Sequence, residues 1–139
     1  MADEESWGEL SSLFQTCTPL DGNNQMDVKS FLELLIDNLA GIVQYNGLQA
    51  QDIFSVCGIM TDESQGSPLE RLAAVNTMML GGSGEECLDH TYAAFLAQAQ
   101  DPDCRMAFAE QGFCWRPWLW QTCTEFGWYQ VRARATPAG

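Results

Sequence analysis

Basic residues are scarce in this chain. Six Lys and Arg stand against 19 Asp and Glu, for a net charge of −13 over 139 residues. The six are scattered, at Lys29, Arg71, Arg105, Arg116, Arg132 and Arg134, so no basic face exists to follow a phosphate backbone, and nucleic acid is excluded as a partner class. An anionic membrane surface is disfavoured for the same reason. Long apolar runs are also missing: each is broken within a few residues by Asp, Asn, Gly or Gln, leaving no stretch able to span a bilayer. Met1-Ala2-Asp3-Glu4-Glu5 is acidic where a signal peptide is basic and then apolar, so no signal peptide is expected in the chain as written. There is one histidine, His90, and no Cys-x-x-Cys pair, so zinc-ligand spacing is absent and neither a metal nor another cofactor is expected.

Cysteine is the residue type in unexpected supply. Cys17, Cys57, Cys87, Cys104, Cys114 and Cys123 form an even, widely spread set that reads as a disulfide framework and implies an oxidising compartment. A secretory cysteine pattern without a leader suggests part of a longer precursor.

The hydrophobic pattern is mainly helical. Trp7, Leu10, Leu13 or Phe14, and Cys17 recur at helical spacing, and Thr18-Pro19 ends that helix. Asp27 is placed to cap the strongest helix, whose stripe is Val28, Phe31, Leu32, Leu35, Leu39 and Ile42 or Val43; Leu34 and Ile36 on its other side call for cover on more than one face. A short helix begins near Asp52. Ser67-Pro68-Leu69-Glu70 combines a capping serine, proline at the first helical position and glutamate three residues after the cap. That helix faces inward through Leu69, Leu72, Ala73, Asn76 and Met79 or Leu80, and Gly81-Gly82-Ser83-Gly84 ends it. A further helix is expected from near Cys87 to about Gln100, stopped by Asp101-Pro102-Asp103. Residues 131–139 are expected to be a disordered tail.

Four of the five tryptophans fall between Trp115 and Gln130. Rings of that size need burial and a partner for each indole N–H, so the segment is wedged between surfaces. Alternation predicts an extended run with Trp118, Trp120, Thr122, Thr124, Phe126 and Trp128 on one side and Leu119, Gln121, Cys123 and Glu125 on the other. Glu125, among aromatics, is expected to be partly buried and hydrogen-bonded, either as a structural carboxylate on backbone N–H groups or as a group that orients a substrate terminus.

Candidate chemistry within the chain is sparse. Gly81-Gly82-Ser83-Gly84-Glu85 invites comparison with a nucleophile elbow and fails it, because the last position is Glu85 and the context is the end of a helix. Any Ser-His-Asp triad would have to use His90, which sits beside Asp89 and Thr91 at an expected helix start, solvated or capping backbone.

Gln121-Thr122-Cys123-Thr124-Glu125-Phe126-Gly127-Trp128-Tyr129, preceded by Trp118-Leu119-Trp120, resembles the Trp-x-Tyr-Gln-(Thr/Ala)-Cys-Thr-Glu signature of the proline-specific serine exopeptidases. That family includes lysosomal Pro-Xaa carboxypeptidase, dipeptidyl peptidase II and thymus-specific serine protease, and the Phe-Gly-aromatic continuation leans toward the thymus-specific branch. Leu13 to Cys17, Asn38 to Asn46 and Ser55 to Cys57 match segments of the family's helical cap in order, so the resemblance covers most of residues 7–130. It implies a mainly α, disulfide-linked helical bundle like the cap inserted in an α/β-hydrolase: a cap region over 1–114, then an extended aromatic segment over 115–130 returning toward a hydrolase core. Family pairing would join Cys17 to Cys87 and Cys57 to Cys123, leaving Cys104 with Cys114. The position matching Trp128 lines the proline pocket in the carboxypeptidase branch, which makes Trp128 a candidate substrate contact; plain packing is the alternative. The elbow, acid and histidine of the triad fall outside the chain, so it should not hydrolyse peptides by itself. The parent implied is a lysosomal or extracellular peptidase acting on peptide substrates, and a homodimer is one of its possible states. A stand-alone disulfide-bonded helical binding module is the alternative reading.

Overall fold

The computed structural model describes residues 4–48, 51–103 and 115–127. In order these form α1 (Glu4–Leu13), α2 (Gln25–Gln44), α3 (Ile53–Thr61), α4 (Pro68–Ser83), α5 (Tyr92–Gln100) and α6 (Trp115–Gln121), with a 3-10 turn at Glu63–Gln65 and a π-helical turn at Thr122–Phe126. The fold class is mainly α. The chain divides into two compact units, Met1–Tyr92 and Ala93–Gly139.

Local chemistry sets the helix starts in the first unit. Asn24, not Asp27, caps α2: its side chain accepts from the Asp27 backbone N–H, while Asp27 lies in the first turn. The Asp27 carboxylate is used elsewhere, accepting from the Tyr92 N–H at 2.9 Å and from Asn24 Nδ2 at 2.7 Å. Asp52 caps α3, a helix the sequence expects to begin near it, accepting from the Ser55 N–H at 2.8 Å. At α4 the capping box forms in full, with Ser67 Oγ accepting from the Glu70 N–H and the Glu70 carboxylate accepting from the Ser67 N–H. Gly84, at φ +74°, ends α4 in the left-handed conformation that glycine adopts without steric cost.

The core of this unit joins Phe14, Leu20, Phe31, Leu35, Ala73, Leu80 and Leu88, with Trp7, Leu10, Leu13, Leu34 and Leu72 packed against it. Phe14 is fully buried and meets Phe31 edge-to-face, ring centroids 5.3 Å apart. Because α1 ends at Leu13, the Phe14 carbonyl needs a donor, and buried Asn76 supplies one at 2.9 Å through Nδ2. Asn76 Oδ1 in turn accepts from Asn38 Nδ2 at 3.4 Å, so one amide ties α1, α2 and α4.

Further expectations need correction. The stripe of α2 is narrower than the pattern implies: Phe31, Leu35 and Ile42 are buried, but Leu32, Leu39 and Val43 are exposed. The helix expected from Cys87 begins only at Tyr92. Residues ahead of it bond sideways instead, Cys17 N–H to Leu88 O at 3.0 Å and Leu88 N–H to Gln15 O at 2.8 Å, forming a parallel bridge between Thr16 and Leu88. The Cys17–Cys87 disulfide closes beside that bridge, as the family pairing implies. Backbone groups already paired between two segments of the chain in this way have no need of a helical turn.

The third correction concerns the tryptophan segment, which over 115–126 is helical rather than extended. Pro117 falls in the first turn of α6, where its missing N–H costs nothing. Thr122 is buried while Trp118 and Leu119 are half-buried, an i, i+3/i+4 face, whereas Trp120 and Phe126 are 58% and 68% exposed. Hydroxyls support the turns from within, Thr122 Oγ1 donating to Leu119 O at 3.0 Å and Thr124 Oγ1 to Trp120 O at 2.7 Å. Gly127, at φ +58°, stops the π-helical turn.

Cys57, in the first unit, and Cys123, in the second, are each exposed and free. Cys104, Cys114 and the expected disordered tail lie outside the described residues, as does the suggested partnership of the first two.

Candidate functional site

His90 is the only imidazole of the chain, and its position decides what chemistry the first unit can perform. Far from being solvated, it is 1% exposed and stands edge-to-face against Phe31, centroids 6.1 Å apart. His90 lies two residues beyond the Leu88 bridge and is buried like Leu88, a placement that local sequence could not reveal. Asp89 is exposed and spends Oδ1 on the Thr91 N–H and hydroxyl, at 3.2 and 2.9 Å. His90 Nδ1 is buried without a hydrogen-bond partner. A general base needs a nucleophile within reach on one nitrogen and an orienting acceptor on the other; this Nδ1 lacks the second.

Ser83 shows equally little of a nucleophile. It is the last residue of α4, and its hydroxyl donates to the Leu80 carbonyl at 3.1 Å. No sharp strand-to-helix turn raises it above a sheet, which a nucleophile elbow requires.

Three acids outside the core serve local structure. Hydrogen bonds from Ser55, side chain and backbone, hold the Asp52 carboxyl below its ordinary range; those from Ser64 and Gln65 do the same for Asp62, and those from Ser67 for Glu70. Asp37 goes the other way. Partial desolvation, followed by the neighbouring Glu33 carboxylate, raises its carboxyl above the usual range. A raised acid pKa penalises the fold above that pKa and releases the penalty as pH falls through it. Asp37→Asn is therefore expected to raise the melting temperature at about pH 7 and to leave it unchanged near about pH 3. Melts of both proteins across that range check the sign.

In the second unit, Pro102, Arg116, Pro117, Trp120 and Gln121 line an open depression of about 350 Å³. Arg116 Nη1 donates to the Gln100 carbonyl at 3.4 Å, which spends one of five guanidinium donors. Glu125 is exposed on the π-helical turn rather than buried among aromatics, because the inward face is set by Trp118, Leu119 and Thr122. Trp128 lies outside the described residues. Among the described residues no cluster of His, Cys, Asp and Glu is arranged to hold a metal, and no helix is long and apolar enough to cross a membrane.

Comparison with known proteins gives these features a context. The family model described as serine carboxypeptidase S28 matches residues 1–136. A serine protease of Caenorhabditis elegans is 31% identical over 139 aligned residues, covering 92% of this chain and 25% of that protein. The thymus-specific serine protease of Homo sapiens is 29% identical, covering 86% of this chain and 23% of its own length. Its Mus musculus counterpart is 32% identical, covering 81% and 22%. The chain thus spans about a quarter of the length of the curated relatives it matches. No solved structure matches it.

Proposed function

Since the chain belongs to the serine carboxypeptidase S28 family, we propose that it is the helical cap region of a proline-specific serine exopeptidase. In this reading the cap restricts access to a Ser-His-Asp site contributed by another part of the family polypeptide. The parent cleaves peptides by acyl transfer, and the cap favours chain ends by obstructing passage of longer segments.

The observation that carries this reading is the burial of His90. At 1% exposure, packed on Phe31 and with Nδ1 unpartnered, the one imidazole is a core residue. A serine peptidase with no usable imidazole of its own must draw its general base from elsewhere. Trp128 and Glu125 remain the proposed substrate contacts, the indole by stacking on a prolyl ring. Cys57 and Cys123 are proposed to pair in the oxidised whole protein, in a lysosomal or extracellular setting, and homodimerisation of the parent is part of the same proposal.

Purified chain offered a prolyl reporter peptide is expected to show turnover no higher than the uncatalysed background. Hydrolysis that tracks the protein through purification and is lost in His90→Ala would sink the reading. Peptide mapping of oxidised protein is expected to recover a Cys57–Cys123 peptide, and recovery of either cysteine joined to Cys104 or Cys114 would count against the cap assignment.

A further inference from the structure

Helix α2 carries a second apolar line beside the one it buries. Leu32, Ile36, Leu39 and Val43 follow one another at i, i+4, i+7 and i+11, so they stack along one side of the helix. They are 52%, 62%, 36% and 65% exposed. No charged residue interrupts the line, and it adjoins the buried face made by Phe31, Leu35 and Ile42. Scattered exposed leucines are ordinary; a contiguous aliphatic line three turns long on one helix marks an interaction surface. The border of the line away from that buried face carries Lys29, Glu33 and Asp37, two carboxylates to one ammonium, and Lys29 is the only basic residue of α2.

We propose that this face of α2 is the docking surface by which the chain meets the remainder of the family polypeptide, and that the surface it meets is apolar with a Lys or Arg rim opposite Glu33 and Asp37. The proposal rests on the cap reading. Relatives devote about three quarters of their length to residues this chain does not match, so a large covalent neighbour exists in the family to cover the line. Charge selects against a second copy as the occupant. Pairing two α2 faces about a two-fold axis would bring four carboxylates, from two Glu33–Asp37 pairs, into one interface with only the two Lys29 ammonium groups to offset them, between chains that each carry −13. An occupant with a basic rim instead relieves the carboxylates as it removes the aliphatic side chains from water.

The test uses a chimera in which the matched quarter of the Caenorhabditis elegans relative is replaced by this whole chain. Ile36→Cys and Val43→Cys, introduced singly, are labelled with a maleimide in the isolated chain and in the chimera, with mass spectrometry separating them from Cys57 and Cys123. Labelling at both positions is expected to slow by about tenfold or more in the chimera. Equal rates would overturn the proposal. Protection that appears in the isolated chain as its concentration rises would overturn it too, by naming a second copy as the occupant. Peptidase activity of the chimera reports separately on the lid reading: an active chimera with open cysteines removes the docking face and spares the cap, whereas protected cysteines in an inactive chimera keep the face and count against the cap. An independent measurement needs only the isolated chain. An Ile36→Ser/Val43→Ser variant should bind a hydrophobic dye about twofold less than the parent chain, and equal binding would show the line is not an open apolar face.

Discussion

Replacing Cys17 and Cys87 together by serine is expected to cost about 4 kcal/mol and to lower Tm by roughly 10–20 °C. The estimate follows from the 70-residue separation that the bond spans, since closing so long a loop removes much of the freedom of the unfolded chain. Native-state consequences should add to it. The bond closes beside the Thr16–Leu88 bridge, so without it the hydrogen bonds from Cys17 N–H and Leu88 N–H must hold the two segments together unaided. His90, two residues along, would then have less to keep it against Phe31. Thermal unfolding of the variant, and of wild-type protein under reductant, should agree. A shift of only a few degrees in both would mean that the helical core alone organises the unit.

Phe14→Ala should be comparably damaging, at about 3–5 kcal/mol. Three features place it at the upper end of large-to-small substitutions. The ring is fully buried, it meets Phe31 edge-to-face, and it lies where α1, α2 and α4 converge. The main chain at the same residue is also committed, its carbonyl held by Asn76 Nδ2. Loosening the side chain therefore endangers a buried hydrogen bond, whose loss would leave both partners desolvated. Urea unfolding of the variant measures the cost. A loss under about 1 kcal/mol would show that neighbouring side chains collapse into the space, contrary to the packing described.

How legible this was in the sequence varied with how local the deciding interaction is. The starts of α3 and α4 could be read from a few adjacent residues, because Asp52 with Ser55 and Ser67 with Glu70 satisfy their own helix ends. Asn76 was placed correctly on the inward face by periodicity, though its bond to the Phe14 carbonyl, 62 residues away, was not readable. The segment around Leu88 and His90 was misread because its backbone pairs with residues near Cys17, and no pattern within residues 87–91 encodes that pairing. The tryptophan segment was ambiguous in another way. Apolar residues at 118, 120 and 126 satisfy a period of two while those at 118, 119 and 126 satisfy a period near 3.6, and the threonines that bond back to Leu119 and Trp120 favour the second. Of the candidate site, the pairing of Cys17 with Cys87 came from family resemblance, while the role of His90 needed coordinates.

A sulfur bridge joining residues so far apart also constrains biosynthesis. Cys17 leaves the ribosome first and remains without its partner while α2, α3 and α4 are being made, and Cys57 becomes available to it before Cys87 does. In an oxidising lumen Cys57 can therefore compete for Cys17 before its partner arrives, and thiol–disulfide exchange is the route by which such a link would give way to the one with Cys87.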